Sequence, residues 1–223
     1  ISPLIVAYAR RYTGDMIHIW QTCLDFLFPP SESLLVLRAF QATDPLTYYK
    51  PTHPHNITAL SLYGEPFIKA SITAGKFEHN EGALKRLGVL LHHHLTETAT
   101  YWQPVDTIFV PIPLHTERQA KRGYNQVAVL LKAGLAGTDY RIYQLLERTK
   151  NTSPQSHLAR ADRLSHLKDA FAYRPQKIDW TAIRRVVLVD DVSTTGSTLE
   201  AGRVTLRANI PKHVEIQLLA FAH

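Results

Sequence analysis

The residues best equipped for chemistry lie together in the stretch at positions 186–203, VVLVDDVSTTGSTLEAGR. Val186, Val187, Leu188 and Val189 form an apolar run of the kind that makes a buried parallel strand. The run ends on two adjacent carboxylates, Asp190 and Asp191. Ser193, Thr194, Thr195, Gly196, Ser197 and Thr198 then make a hydroxyl-rich and glycine-containing turn that opens into a helix. Main-chain N–H groups of residues 194–198 would sit at that helix N-terminus, where unpaired donors and the helix dipole favour a phosphate. Gly196 lets the backbone approach an anion with no Cβ in the way. Carboxylates at the carboxyl end of a strand occupy the usual ligand crevice of an open α/β sheet, and here they can accept hydrogen bonds from two neighbouring ribose hydroxyls. One phosphate beside one cis-diol describes a ribose 5-phosphate. The plainer reading is a core strand that ends in two acids before an N-capping threonine. The commoner phosphate loop, Gly-x-x-x-x-Gly-Lys-Ser/Thr, does not occur in the chain.

A site of this kind needs a core behind it, and 223 residues suffice for one sizeable core with a small appendage. A hydrophobic content of 45% with 20% charged residues excludes the disordered and low-complexity classes. No apolar stretch approaches the roughly 18 residues of a membrane span, and no charged-then-apolar leader is present, so a cytoplasmic protein without a membrane span is expected. The single cysteine, Cys23, excludes an intrachain disulfide framework and a cysteine-rich zinc site, and is best read as packing. The net charge is +6, and the window at 115–174, with 11 Lys and Arg against 5 acids, carries all of the excess. Such a window suits a polyphosphate or a nucleic-acid backbone, although a solvated basic face has the same composition.

Positioning elements follow from periodicity. Residues 1–58 are proline-rich and read as an irregular region with one or two short helices, ahead of a domain at 59–223. Helices are expected at 62–73 and 83–95, so that two helices precede the first core strand at 107–111. A helix at 120–135, a strand at 141–146 and a mobile basic stretch with a helix at 157–167 come next. A strand at 185–190, a helix at 195–208 and a strand at 214–220 complete an alternation that implies an α/β fold with a parallel sheet. His92, His93 and His94 do not make a metal site, because successive helical residues point about 100° apart.

The acid pair and its turn resemble the motif by which type I phosphoribosyltransferases bind phosphoribosyl pyrophosphate (PRPP). Three further strings extend the likeness: Val110-Pro111-Ile112-Pro113-Leu114-His115; Arg118-x-x-x-Arg122-Gly123-Tyr124-Asn125-Gln126; and Arg148-Thr149-x-x-Thr152-x-x-Gln155-x-x-Leu158-x-Arg160-x-x-Arg163. Their order and spacing, with Lys76-Phe77 upstream and Asp169-Ala170-Phe171 downstream, resemble the ComF family of phosphoribosyltransferase-like competence proteins from about residue 60 onward. Two departures stand out. Leu27-Phe28-Pro29-Pro30 is present but the family's four-cysteine zinc ribbon is not, so no zinc is expected, and Ser165-His166 replaces a customary asparagine.

The resemblance implies a type I phosphoribosyltransferase-like core with a mostly helical, irregular N-terminal region. It also implies PRPP bound with Mg²⁺, at residues Asp190, Asp191, Ser193, Thr194, Thr195, Gly196, Ser197 and Thr198. Pro113, His115, Arg118 and Arg122 would face the pyrophosphate, Arg122 foremost because a guanidinium fork matches two phosphate oxygens. Arg160 or Arg163 would fold over the ligand, Lys76 would assist, and Asn125 and Gln126 would orient the turn. Asp190 or Asp191 would reach the metal through water. The implied role is support of DNA uptake in natural transformation, with weak non-specific single-stranded DNA binding and a DNA-translocating helicase as partner. A separate reading is a regulatory module that keeps the ligand site without turnover. The alternative is an active phosphoribosyltransferase of salvage or biosynthesis acting on a small acceptor, with Asp190 and Asp191 stabilising the positive charge that develops on the ribose.

Overall fold

The computed structural model describes residues 25, 29–149 and 170–223. Its two central strands are the most apolar, β-branched runs of the chain: β2, Thr107–Pro111, buried throughout, and β6, Arg185–Val192. They pair in parallel from Thr107 opposite Arg185 to Pro111 opposite Val189. Around them β1 (Thr58–Ser61), β7 (Glu215–Ala222) and β3 (Arg141–Ile142) complete a five-stranded sheet in the order β1-β7-β6-β2-β3, every adjacent pair parallel. This is the α/β architecture expected from the alternation of strands and helices.

Because side chains alternate along a strand, the sheet has two separate cores. Phe109, Val187 and Val189 pack on one face with helices α2 (Pro66–Phe77), α3 (Glu81–Glu97) and α5 (Gln126–Gly134). Ile108, Val110, Val186 and Leu188 pack on the other with α6 (Ser197–Asn209) and a small antiparallel pair, β4 (Leu146–Arg148) with β5 (Phe171–Tyr173). The chain leaves β2 toward β3 and leaves β6 toward β7, in opposite directions across the sheet. The carboxyl ends of β2 and β6 therefore flank a switch point, where such sheets hold ligands.

Four boundaries differ from the sequence expectation. A strand, β1, precedes the helix assigned to 62–73; its four residues run without a break into Leu62, and the helix begins only at Pro66, a residue that fits the first turn because no N–H is needed there. Two helices do not, therefore, precede the first strand of the sheet. The helix expected at 120–135 is two, α4 (Thr116–Arg122) and α5, broken where Gly123 adopts φ 78°. The strand expected at 141–146 divides, its second part leaving the main sheet as β4. β6 continues two residues past Asp190, to Val192. The helix expected at 157–167 and the mobile stretch around it lie outside the described residues, as does Cys23.

N-terminal to β1, helix α1 (Glu32–Ala39) is capped by Ser31, and the short turns Pro45–Tyr48 and Pro54–Asn56 follow. Tyr48 stacks on Phe67 with centroids 5.3 Å apart, and Arg86 lies over the same ring while donating to the Phe40 carbonyl. Among the described residues, no helix is long and apolar enough to cross a membrane.

Candidate functional site

Asp190 and Asp191 both belong to β6, so they face opposite sides of the sheet. Asp191 is 3% exposed and turns toward α2 and α5. Its Oδ1 accepts from Lys76 Nζ at 2.8 Å, and its Oδ2 accepts from Gln126 Nε2 at 2.8 Å. Gln126 Oε1 in turn accepts from an Arg122 guanidinium N–H at 2.9 Å. Lys76, Asp191, Gln126 and Arg122 thus form one continuous chain of bonds. Burial alone would lower the Lys76 pKa, but the Asp191 carboxylate, together with Asp190 and Tyr63, outweighs it and raises it instead.

Asp190 turns the other way, toward β4. Its Oδ1 accepts from the Asp191 main-chain N–H at 2.9 Å. Burial and the neighbouring Asp191 charge raise its pKa to about 7, against the pull of Lys76 and Arg148. One acid of the pair is bonded at both oxygens, to Lys76 and Gln126, and the other titrates near neutrality.

The hydroxyl-rich turn follows directly. The Ser193 N–H donates to the Ala222 carbonyl at 2.9 Å and His223 Nδ1 donates to the Ser193 carbonyl at 2.7 Å, which pins the turn to the end of β7. Thr195 and Ser197 hydroxyls bond each other at 2.8 Å. Gly196, at φ 75°, is the N-cap of α6, and no side chain caps that helix, whereas Ser31, Asn80 and Asn125 cap α1, α3 and α5. A Cβ on Gly196 would lie 2.6 Å from Ile57 Cδ1, so the segment before β1 forms the floor of the turn. The Ser193 hydroxyl is buried without a hydrogen-bond partner, an arrangement that costs about 1–3 kcal/mol unless something satisfies it.

Beside this turn, the Ile112 N–H donates to the Val189 carbonyl at 2.8 Å and carries the β2–β6 pairing beyond Pro111. Pro113 follows, and His115 caps α4. Asn125 holds the loop from below, donating to the Ile112 carbonyl at 2.9 Å while capping α5 through its Oδ1. Arg118 and Arg122 stand on α4, and Arg148 reaches in from β4 over the Phe171 ring. Burial lowers the pKa of both Arg122 and Arg148, and the Arg118 charge lowers each further, so Arg118 repels both other guanidinium groups beside the acid pair.

The fold thus brings together Lys76, Arg118, Arg122, Asp190, Asp191 and residues 193–198 of the expected site. Lys76 bonds Asp191, and Gln126 bonds both Asp191 and Arg122. Arg160 and Arg163 lie outside the described residues. In sequence Arg148 stands out only as part of a motif; its approach depends on β4 leaving the main sheet, which no local pattern signals. The inventory suits an anion with hydroxyls: uncapped main-chain donors, a buried hydroxyl in need of a partner, clustered guanidiniums and two carboxylate acceptors. Among the described residues no group of three or more His, Cys, Asp or Glu converges as a resident metal would require. Two carboxylates, one of them bonded once at each oxygen, fit a magnesium ion reached through water, whose other ligands are water and substrate oxygens.

No family model matches the chain. Competence protein F of Haemophilus influenzae is 33% identical to it over 162 residues, which span 72% of this chain and 70% of that protein. DNA utilization protein YhgH of Salmonella typhi is 34% identical over 164 residues, 71% of this chain and 69% of its own length. Competence protein ComFC of Streptococcus pneumoniae is 37% identical over 91 residues, 41% of this chain and 37% of that protein.

Proposed function

Given that the chain belongs to the ComF family of competence proteins, we propose that it serves DNA uptake as a PRPP-responsive protein, binding PRPP with Mg²⁺ at the carboxyl ends of β2 and β6. The observation that carries this reading is the junction of β6 and α6, where two carboxylates run directly into an uncapped glycine turn with a buried, unpartnered Ser193 hydroxyl. The 5-phosphate takes the main-chain N–H groups of residues 194–198 and the Ser193 hydroxyl. The ribose hydroxyls donate to Asp190 and Asp191, and the pyrophosphate is met by Arg122 and Arg118, with Arg160 and Arg163 as further cations. Magnesium, when bound with PRPP, supplies neutralising charge on the diphosphate. The chain's own residues orient the sugar and hold the anion.

The names of the relatives, competence proteins and a DNA utilization protein, favour a role in DNA uptake over salvage of a small acceptor. Single-stranded DNA is the second ligand of this reading, held weakly and without sequence preference by the basic window, and a DNA-translocating helicase is the partner it would serve. Calorimetry with Mg²⁺-PRPP tests the reading. Asp190→Asn with Asp191→Asn keeps the side-chain shapes while removing both anionic acceptors, and should weaken binding by about a hundredfold or more, since hydrogen bonds to charged groups contribute about 1.5–3 kcal/mol each. Equal affinity in a variant whose thermal unfolding remains cooperative would refute PRPP binding at this site.

A further inference from the structure

Phe77 is the last residue of α2, directly after Lys76, and its ring is 70% exposed. A lone exposed ring is ordinary, but this one lies under a cation: the Arg122 guanidinium carbon is 5.5 Å from its centroid. Arg122 is itself held in place, by Gln126 at its guanidinium and by His79 Nδ1, which donates to its carbonyl at 3.1 Å. Ring and cation are thereby fixed beside Asp191, to which Gln126 is bonded. On the far side, the Tyr124 hydroxyl donates to the Gly75 carbonyl at 2.6 Å, two residues before Phe77. Tyr124 also lines a groove of about 450 Å³ between α3 and α5, together with Lys132 and with Lys85, whose ammonium pairs with Glu81 of the same groove at 3.3 Å.

We propose that Phe77 is a base-stacking residue for single-stranded DNA, with the strand passing from Arg122 along the Phe77 ring and past Tyr124 toward Lys132. Aromatic faces alternating with cations are the means by which proteins hold an unpaired strand, since every base has a face to stack and every step a phosphate to neutralise. A small acceptor would need only the ring. Beyond Tyr124 the groove adds Lys132, a second cation apart from Arg122, and a cation at each end of the path favours a strand. This inference rests on the single-strand reading above and assigns it a residue and a path.

The test measures binding of a short oligo-dT, and of an abasic oligomer of equal length, to the whole chain and to Phe77→Ala and Phe77→Trp. Phe77→Ala should bind oligo-dT about tenfold more weakly, the scale of one lost base stack, with abasic binding unchanged. Phe77→Trp should restore oligo-dT affinity and add fluorescence that oligo-dT quenches and the abasic oligomer does not. If the unsubstituted chain binds oligo-dT and Phe77→Ala binds it equally, this inference alone is overturned. A loss that the abasic oligomer shares in full, or one seen only with free nucleobases, overturns it as well. A chain that binds no oligo-dT overturns the single-strand reading and this inference with it, while leaving the PRPP site to its own test.

Discussion

Asp190 and Asp191 adjoin in sequence yet differ in chemistry, because a strand turns successive side chains to opposite faces. Asp191 is paired with Lys76 and tied by Gln126, so it holds the site's frame. Asp190, with its pKa raised to about 7 by burial and by Asp191, carries a linkage of definite sign. Its protonated form is favoured in the folded chain, so its contribution to stability is greatest below the ordinary carboxylate range and is lost as pH rises to about 7. Asp190→Asn should therefore gain stability over the parent between about pH 4 and about pH 7 and hold that gain above, as urea unfolding across pH would show. Ribose hydroxyls donate to the charged form, so Mg²⁺-PRPP affinity should rise from about pH 6 to about pH 8, with proton release on binding measurable by calorimetry in buffers of different ionisation enthalpy. An affinity that is flat over that range would remove Asp190 from the ribose contact. At this scale the acids and the turn were legible because strand, acids and turn are contiguous. The bonds from Lys76 and Gln126 span 115 and 65 residues and left no local trace.

Two glycines set the elements around the site, and they differ in surroundings rather than in conformation. Gly123 (φ 78°) and Gly196 (φ 75°) are both left-handed; a Cβ meets nothing within 4 Å at Gly123, but lies 2.6 Å from the buried Ile57 side chain at Gly196. Gly123→Ala should cost about 1–2 kcal/mol, the left-handed penalty alone. Gly196→Ala should exceed it by about another 1–3 kcal/mol, the cost of overpacking, and should also displace the turn and weaken PRPP. Denaturant unfolding of both variants checks the order, and equal costs would mean that the segment before β1 does not brace the turn. The break at Gly123 was written in the sequence, as a glycine two residues before an asparagine N-cap, yet the apolar periodicity on both sides concealed it. β1 was hidden for a different reason: four residues on a sheet edge carry too little pattern to be told from the run that follows.

Across the molecule, the switch point between β2 and β6 gathers Arg118, Arg122 and Arg148 where the carboxyl ends of both strands meet. The parallel sheet was legible from alternation alone, whereas which basic residues converge depends on β4 pairing with β5, outside the reach of composition. If the arginines at this crevice serve both anions, PRPP and single-stranded DNA must weaken each other by one common factor. Arg122→Ala should then weaken both, and the slope of log affinity for oligo-dT against log salt should become shallower by about one phosphate contact, roughly 0.7. Fluorescence titrations of oligo-dT with and without saturating Mg²⁺-PRPP measure the coupling, and an unchanged DNA affinity would place the strand on another face.

The central claim is that the junction of β6 and α6 is a PRPP site, and a crystal structure of the chain with Mg²⁺ and PRPP tests it most directly. The account predicts the 5-phosphate on the main-chain N–H groups of residues 194–198 and on the Ser193 hydroxyl, the ribose hydroxyls on Asp190 and Asp191, and the diphosphate toward Arg122. Density for PRPP anywhere else on the chain, or a phosphate turned away from residues 194–198, would contradict it.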